Sequence, residues 1–387
     1  MIDHPISYGR QYITEEDINA VVDTLKSDYL TQGPKISEFE RIFANYCGCK
    51  YASMVSNGTA ALHLCAMAIG IKPGDKVITT PITFVASANG FRYCGAEIDF
   101  CDINPNTYLM DLDKLEEILN NSPIGTYKAV VPVDFAGYPV DVERLRILAD
   151  KYKFYIIEDA CHAPGGSLTD SKGNSNKIGN SEYADLTVFS FHPVKHIATG
   201  EGGAITTNNK DLYDKINLYR THGITKDQDL LIENHGGWYY EMQELGYNYR
   251  ITEFQAALGI SQLKRLDWSI KRRNEIANKY DEAFANLPIK TPYRADNIIH
   301  AFHLYVIQVK DRKELYDFLR ENNIFSQVLY IPAHTMPYYK KLGWKIGDCP
   351  NAEGYYSKCL ALPMFPSLTE EEQDWVIKKV IEFINKA

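Results

Sequence analysis

The 387-residue chain has no apolar run of transmembrane length, no basic cluster and no Cys-x-x-Cys pair. Each absence removes a class of function. Without about 18–20 apolar residues in a row, a helix cannot cross a bilayer. A net charge of −9 sets the overall field against nucleic acid and anionic membranes. An anionic ligand must therefore be held by a local positive site. The eight cysteines are scattered, with Cys47-Gly48-Cys49 the only tight pair. Neither a zinc site nor a redox dithiol is expected, and the thiols read as free and mainly buried. Met1-Ile2-Asp3-His4-Pro5 carries neither a basic region nor an apolar core, so a cytoplasmic protein without a signal peptide is expected. The sequons at Asn57 and Asn120 are discounted for the same reason. Repeats and low-complexity tracts are also missing.

What remains is an ordinary globular mix, 45% hydrophobic and 24% charged, which suffices for a large core and two domains. Thr14-Glu15-Glu16-Asp17 starts a helix, with Thr14 as N-cap and Ile18, Val21, Val22 and Leu25 on one face. A turn at 28–34 and a helix over 35–47 follow. Tyr51–Ser56 reads as a strand, and Asn57-Gly58-Thr59 opens a strongly apolar helix to Ile69. Strands are predicted at 76–80 and 96–103, then a βαβ unit: strand 128–133, amphipathic helix 142–152, buried strand 154–158. Strands alternating with helices imply a mostly parallel sheet covered on both faces. Residues 164–182 read as a surface excursion. Strands 187–191 and 203–207, a helix over 211–219 and a polar, aromatic loop over 224–240 come next. A long helix at about 252–285 should cross to a smaller α+β unit. There, strands 303–309 and 326–330 flank a helix at 311–321. Helices at about 351–359 and 369–386 finish the chain, the last on the capping box Thr369-Glu370-Glu371-Glu372.

Three places carry chemistry. Lys195 follows the apolar run Thr187–Phe191, and lysine is rarely buried without a role or a partner. A desolvated lysine becomes a usable amine, as Schiff-base chemistry requires. Asp159 ends the run Tyr155-Ile156-Ile157, at the carboxyl end of a strand where such sheets bind ligands. A carboxylate there is costly unless it meets a cation; capping the following turn is the alternative. Gly58 and Thr59 stand at the start of a buried helix, whose free N–H groups and positive dipole end favour a phosphate.

The string Phe189-Ser190-Phe191-His192-Pro193-Val194-Lys195, with Thr199-Gly200-Glu201-Gly202-Gly203, resembles the cofactor-lysine segment of the sugar aminotransferases, a pyridoxal-phosphate (PLP) family. Leu245-Gly246-Tyr247-Asn248-Tyr249-Arg250-Ile251-Thr252-Glu253 is a second match. The resemblance implies the aspartate-aminotransferase-type α/β fold, with a large domain over 1–260 and a small C-terminal α+β domain over 261–387. It also implies a homodimer with shared active sites and pyridoxal 5′-phosphate as cofactor. Lys195 would hold the cofactor and Asp159 would pair with its pyridine nitrogen. Phe84 would stack on the ring, and His162 is a candidate partner for the ring hydroxyl. Gly58, Thr59 and Asn248 would serve the phosphate, Asn248 reaching it from the neighbouring subunit, and Ser190 would be a further cofactor contact. The nucleotide sugar would meet Tyr8, Asp28, Tyr29, Leu30, Thr31, Gly58, Ser190, Asn248, Arg250, Gln327, Val328, Leu329 and Tyr330. No metal is implied.

The reaction that this resemblance implies is ping-pong transamination from glutamate to a 4-keto-6-deoxy nucleotide sugar, with Lys195 moving the proton as base and acid. Leu30-Thr31-Gln32-Gly33, Ile78–Ala86 and Leu258–Leu263 resemble the pseudaminic-acid branch, although related branches share most of these strings. Amination of another UDP-, dTDP- or GDP-linked sugar, at C3 or C4, stays open. Dehydratase relatives carry histidine in place of the lysine, so Lys195 speaks against that chemistry, with His196 beside it as the contrary sign. A PLP-sensing regulator would need a DNA-binding domain and a basic patch, and neither is found.

Overall fold

The computed structural model describes residues 2–386. Seven strands form its central sheet: β1 (Tyr51–Val55), β2 (Lys76–Thr79), β3 (Glu97–Phe100), β4 (Tyr127–Val131), β5 (Tyr155–Asp159), β6 (Leu186–Ser190) and β7 (Gly203–Thr207). Their spatial order is β1-β7-β6-β5-β4-β2-β3. β7 is antiparallel to both neighbours, and the other pairs are parallel. Helices cover both faces, so Val130, Ile156 and Val188 are wholly buried and the strands read as near-continuous apolar runs.

Helix α1 (Gly58–Ala68) lies against this sheet, with only Thr59 and Met67 less than buried. Asn57 caps it, its Oδ1 accepting from the Ala60 N–H at 2.8 Å. That cap leaves the Gly58 and Thr59 N–H groups directed past the end of the helix.

The single helix expected over 252–285 is two helices, α2 (Glu253–Leu263) and α3 (Leu266–Phe284). The break has a polar cause. Arg265 leaves helical geometry (φ −105°, ψ 4°) and donates to the wholly buried Asp17 at 2.6 Å, while Gln262 donates to the same carboxylate at 2.8 Å. Asp17 also accepts from the Thr14 N–H. One carboxylate thus starts the helix Glu15–Leu25 and fixes the corner between α2 and α3. The buried Glu253 acts similarly, accepting from the backbone N–H groups of Gly33, Lys35 and Ile36 at the start of the helix Pro34–Cys47.

A smaller layer is built from the antiparallel strands Tyr305–Gln308 and Cys359–Leu362 with the helices Arg312–Glu321 and Glu370–Ile384. Residues 6–7, grouped with the large domain on the sequence, pair in parallel with Ile324–Phe325. Ile6 joins the core of Tyr280, Tyr305, Leu315 and Val376, so the start of the chain belongs to this smaller layer. The strand expected over 326–330 is not formed. The strand is Ile324–Phe325, and beyond it a single bridge joins Gln327 to Ala361. Leaving the ladder turns Leu329 and Tyr330 toward the central cavity. The excursion at 164–182 contains a hairpin, Ser167–Thr169 with Ser175–Lys177, organised around Asp170. The 224–240 loop is closed by the short pair Ile224–Thr225 and Glu241–Met242, and presents Leu230, Ile232 and Trp238 to solvent.

Candidate active site

A cavity of about 960 Å³ opens at the carboxyl ends of the sheet strands. The strand order explains its position. β1 delivers Asn57, Gly58 and Thr59; the turn after β2 delivers Thr83 and Phe84; β5 delivers Asp159, Cys161 and His162; β6 delivers Ser190 and Lys195. Tyr8, His303, Leu329 and Tyr330 close it from the smaller layer, and His63, Tyr93, Tyr247 and Tyr249 form an aromatic wall. In that wall His63 Nδ1 lies 3.1 Å from the Tyr249 hydroxyl, and Tyr247 stacks on Tyr249.

Lys195 sits in the loop after β6, its own N–H bonded to the His192 carbonyl. Burial pushes its amine down to about 8, partly offset by Cys161 and Asp159. No carboxylate lies within ion-pair distance of Nζ among the described residues; its one close polar neighbour is His303 Nε2 at 3.4 Å. Asp159 is 5% exposed, so its geometry decides what it can do. Oδ2 accepts from Ser87 Oγ at 2.5 Å and Oδ1 from the Cys161 N–H at 3.2 Å. These bonds fix the carboxylate and leave acceptor capacity facing the cavity, which suits a cationic ring N–H.

The start of α1 supplies the complementary anion site. The Gly58 and Thr59 N–H groups have no partner among the described residues, and Thr59 and Ser190 add hydroxyl donors to the same cavity. A Cβ on Gly58 would lie 3.1 Å from Ser190 Cβ and 3.3 Å from Cys161 Sγ; glycine keeps this cradle open. Donors at one end, a fixed carboxylate deeper in and a low-pKa amine between them match the phosphate, ring nitrogen and aldehyde carbon of PLP.

His162 is buried and its charged form is disfavoured by burial and by Lys195. Nδ1 accepts from the Ala136 N–H at 3.2 Å, so the neutral ring carries its proton on Nε2, 3.1 Å from the Tyr330 hydroxyl. Both nitrogens are engaged, and the expected contact with a ring hydroxyl requires one of these bonds to give way. Phe84 is 60% exposed and edges the cavity, consistent with an open place for a ring beside it.

The structure gathers Tyr8, Gly58, Thr59, Phe84, Asp159, His162, Ser190, Lys195, Leu329 and Tyr330 at one cavity. It does not bring Asp28, Tyr29, Leu30, Thr31, Asn248, Arg250, Gln327 or Val328 to that cavity within the chain. Asp28 and Tyr29 line a separate groove against α2. Asn248 is exposed, bridges to Thr221 and does not line the cavity. Sequence reasoning missed Ser87, His303 and the aromatic wall. His303 carried one signal: it is a histidine opening the apolar run Leu304–Ile307.

An electron-sink coenzyme with a phosphate tail is the ligand these groups suit, and the architecture is that of fold type I pyridoxal-phosphate enzymes. The chain belongs to the DegT/DnrJ/EryC1/StrS aminotransferase family, which matches residues 11–381. It is 41% identical to the spore coat polysaccharide biosynthesis protein SpsC of Bacillus subtilis, covering 100% of this chain and 98% of that one. It is 38% identical to a UDP-4-amino-4,6-dideoxy-N-acetyl-β-L-altrosamine transaminase of Campylobacter jejuni, covering 98% of both. Among solved structures, Helicobacter pylori PseC, an aminotransferase of pseudaminic acid biosynthesis, superposes with a TM-score of 0.90 at 30% identity, over 99% of this chain and 100% of that one. The protein is thus a PLP-dependent sugar aminotransferase. No described helix is long and apolar enough to cross a membrane.

Proposed function

We propose that the enzyme transfers the amino group of glutamate to C4 of a UDP-linked 4-keto-6-deoxy sugar, forming UDP-4-amino-4,6-dideoxy-N-acetyl-β-L-altrosamine for pseudaminic acid. The observation that carries this reading is the end-to-end match to the Campylobacter jejuni transaminase. The cavity supports it by its size, since about 960 Å³ accommodates a cofactor with a sugar beside it.

In this reading PLP, when bound, would supply the electron sink for the reaction. Lys195 holds the cofactor and, once displaced, moves a proton as base and acid, a task suited to an amine near pH 8. Asp159, fixed by Ser87 and the Cys161 N–H, keeps the ring nitrogen protonated. The start of α1 with Thr59 and Ser190 anchors the phosphate. Tyr8, Leu329 and Tyr330 border the sugar from the smaller layer, with Gln327 and Val328 leading into that segment.

The rest of the proposal needs a second copy of the chain. Asp28–Thr31, Asn248 and Arg250 lie outside their own cavity, and the segment preceding Asn248 exposes Leu230, Ile232, Trp238 and Leu245. In a cytoplasmic homodimer these residues complete the partner's site, with Asn248 at its phosphate and Arg250 offering a fork to an anionic group. Residues 1–260 and 261–387 remain the proposed division into large and small domains, except that the strand at 6–7 packs with the smaller layer.

The test is a substrate panel. PLP-loaded protein is incubated with glutamate and UDP-, dTDP- and GDP-linked keto sugars, and products are identified by NMR. Amination at C4 of the UDP-linked L-arabino keto sugar alone supports the assignment. Amination of another sugar moves the enzyme to that pathway and refutes this one.

A further inference from the structure

Lys195 must leave the cofactor during each half-reaction and return to it. Its surroundings while it is free are therefore part of the machinery. Its amine points at His303, with Nζ 3.4 Å from Nε2. His303 is 4% exposed and lines the same cavity. Its backbone is firmly held. Arg273 Nη1 donates to the Phe302 carbonyl at 2.9 Å, and the neighbouring Ala301 and Leu304 N–H groups bond the carbonyls of Gly137 and Ala136. The ring packs against His162 at 4.3 Å and His196 at 5.8 Å between centroids.

Every titratable or charged group facing His303 argues for a neutral ring. Burial, Lys195, His162, His196 and Arg273 all oppose its protonation. Among the described residues no carboxylate contacts it; Asp159 and Cys161 lie on the Lys195 side. A neutral ring has one N–H to place. Nδ1 is buried without a hydrogen-bond partner. A buried N–H with no acceptor is rarer and costlier than a buried acceptor with no donor. When Lys195 is neutral, the proton therefore sits on Nε2, where it meets Nζ. An Nε2–H can donate only to a neutral amine, because an ammonium has no lone pair.

We infer that His303 is a positioning residue for Lys195: its Nε2–H favours the neutral form of the lysine when it is free of the cofactor, and holds that neutral amine in place beside the cofactor site. Once that hydrogen bond gives way, the neutral amine can take a proton or re-form its bond to the cofactor. The inference rests on Lys195 being the cofactor lysine. Borohydride trapping of PLP on the full-length protein, followed by peptide mapping, tests that premise separately.

The test follows Lys195 in the full-length apoprotein. Trace acetic anhydride labels amines in proportion to their neutral fraction, and the exposed Lys50 serves as internal reference. The pH midpoint of Lys195 labelling is compared among wild type, His303→Leu, His303→Asn and His303→Gln. Loss of the donor should raise the midpoint by about one pH unit in His303→Leu, a roughly tenfold fall in Lys195 labelling near pH 7. Asn is too short to reach Nζ and should behave like Leu. Gln can place an amide N–H near the Nε2 position and should restore most of the wild-type midpoint. The rate of PLP uptake by the apoproteins should follow the same order. If His303→Leu does not fold, the Asn and Gln pair decides. A midpoint that is unmoved in Asn, or moved equally in Asn and Gln, overturns the inference.

Discussion

Replacing Lys195 with methionine should stabilise the apoprotein at neutral pH. Burial lowers the amine from 10.5 to about 8. Below pH 8 the lysine is charged in both the folded and the unfolded chain, and the folded chain bears the whole cost of that charge. A displacement of about 2.5 pH units, at about 1.4 kcal/mol each, is about 3.5 kcal/mol. The side chain is half-buried rather than sealed, so solvent trims this to about 2 kcal/mol. Methionine keeps the length and apolar stem and removes the charge. The sign changes with pH in a defined way. Between pH 8 and 10.5 the unfolded chain binds more protons than the folded one, so wild-type stability climbs and the advantage of methionine shrinks. At about pH 9.5 less than half of it should remain. Urea unfolding at pH 7 and pH 9.5, at one protein concentration, measures both. A Lys195→Met variant less stable than wild type at pH 7, or a gain equal at the two pH values, refutes a desolvated lysine.

Other consequences are open to measurement. Asp159→Asn keeps the acceptor for Ser87 but loses the charge facing the ring nitrogen; turnover should fall on the order of a hundredfold or more while thermal stability holds, and an unchanged rate would remove the proposed role. Gly58→Ala places a methyl 3.1 Å from Ser190 Cβ in the phosphate cradle, so PLP affinity should fall about tenfold or more; binding as tight as wild type in a PLP titration would show that the phosphate lies elsewhere. Glu158, buried beside Asp134, is pushed up to about 7 by desolvation. Its contribution to stability is present in full below its ordinary carboxyl range and is lost as pH rises through 7. Glu158→Gln should therefore flatten the decline in stability between pH 5 and 8, by on the order of 1–3 kcal/mol at the upper end; a decline as steep as wild type in thermal unfolding counts against this.

The chemistry-bearing stretches were legible because each is local. Lys195 after an apolar strand, Asp159 at a strand end and Gly58-Thr59 at a buried helix start state a cost that a ligand or a protein partner must offset, and the structure gathers them at one cavity. The alternation of strands and helices likewise led to the mainly parallel sheet, since period and burial are properties of short windows. Three features lay beyond any window. The kink at 264–265 comes from Asp17, more than two hundred residues away, drawing Arg265 out of helical geometry. The first strand pairs with residues 324–325, a segment near the other end of the chain. His303 meets Lys195 only because the smaller layer folds back over the ends of the sheet strands. By itself, then, the sequence determined which groups had to be buried and which of them needed a partner. Tertiary packing alone decided which partners they met, because burial follows local pattern whereas contact depends on how distant segments close on one another.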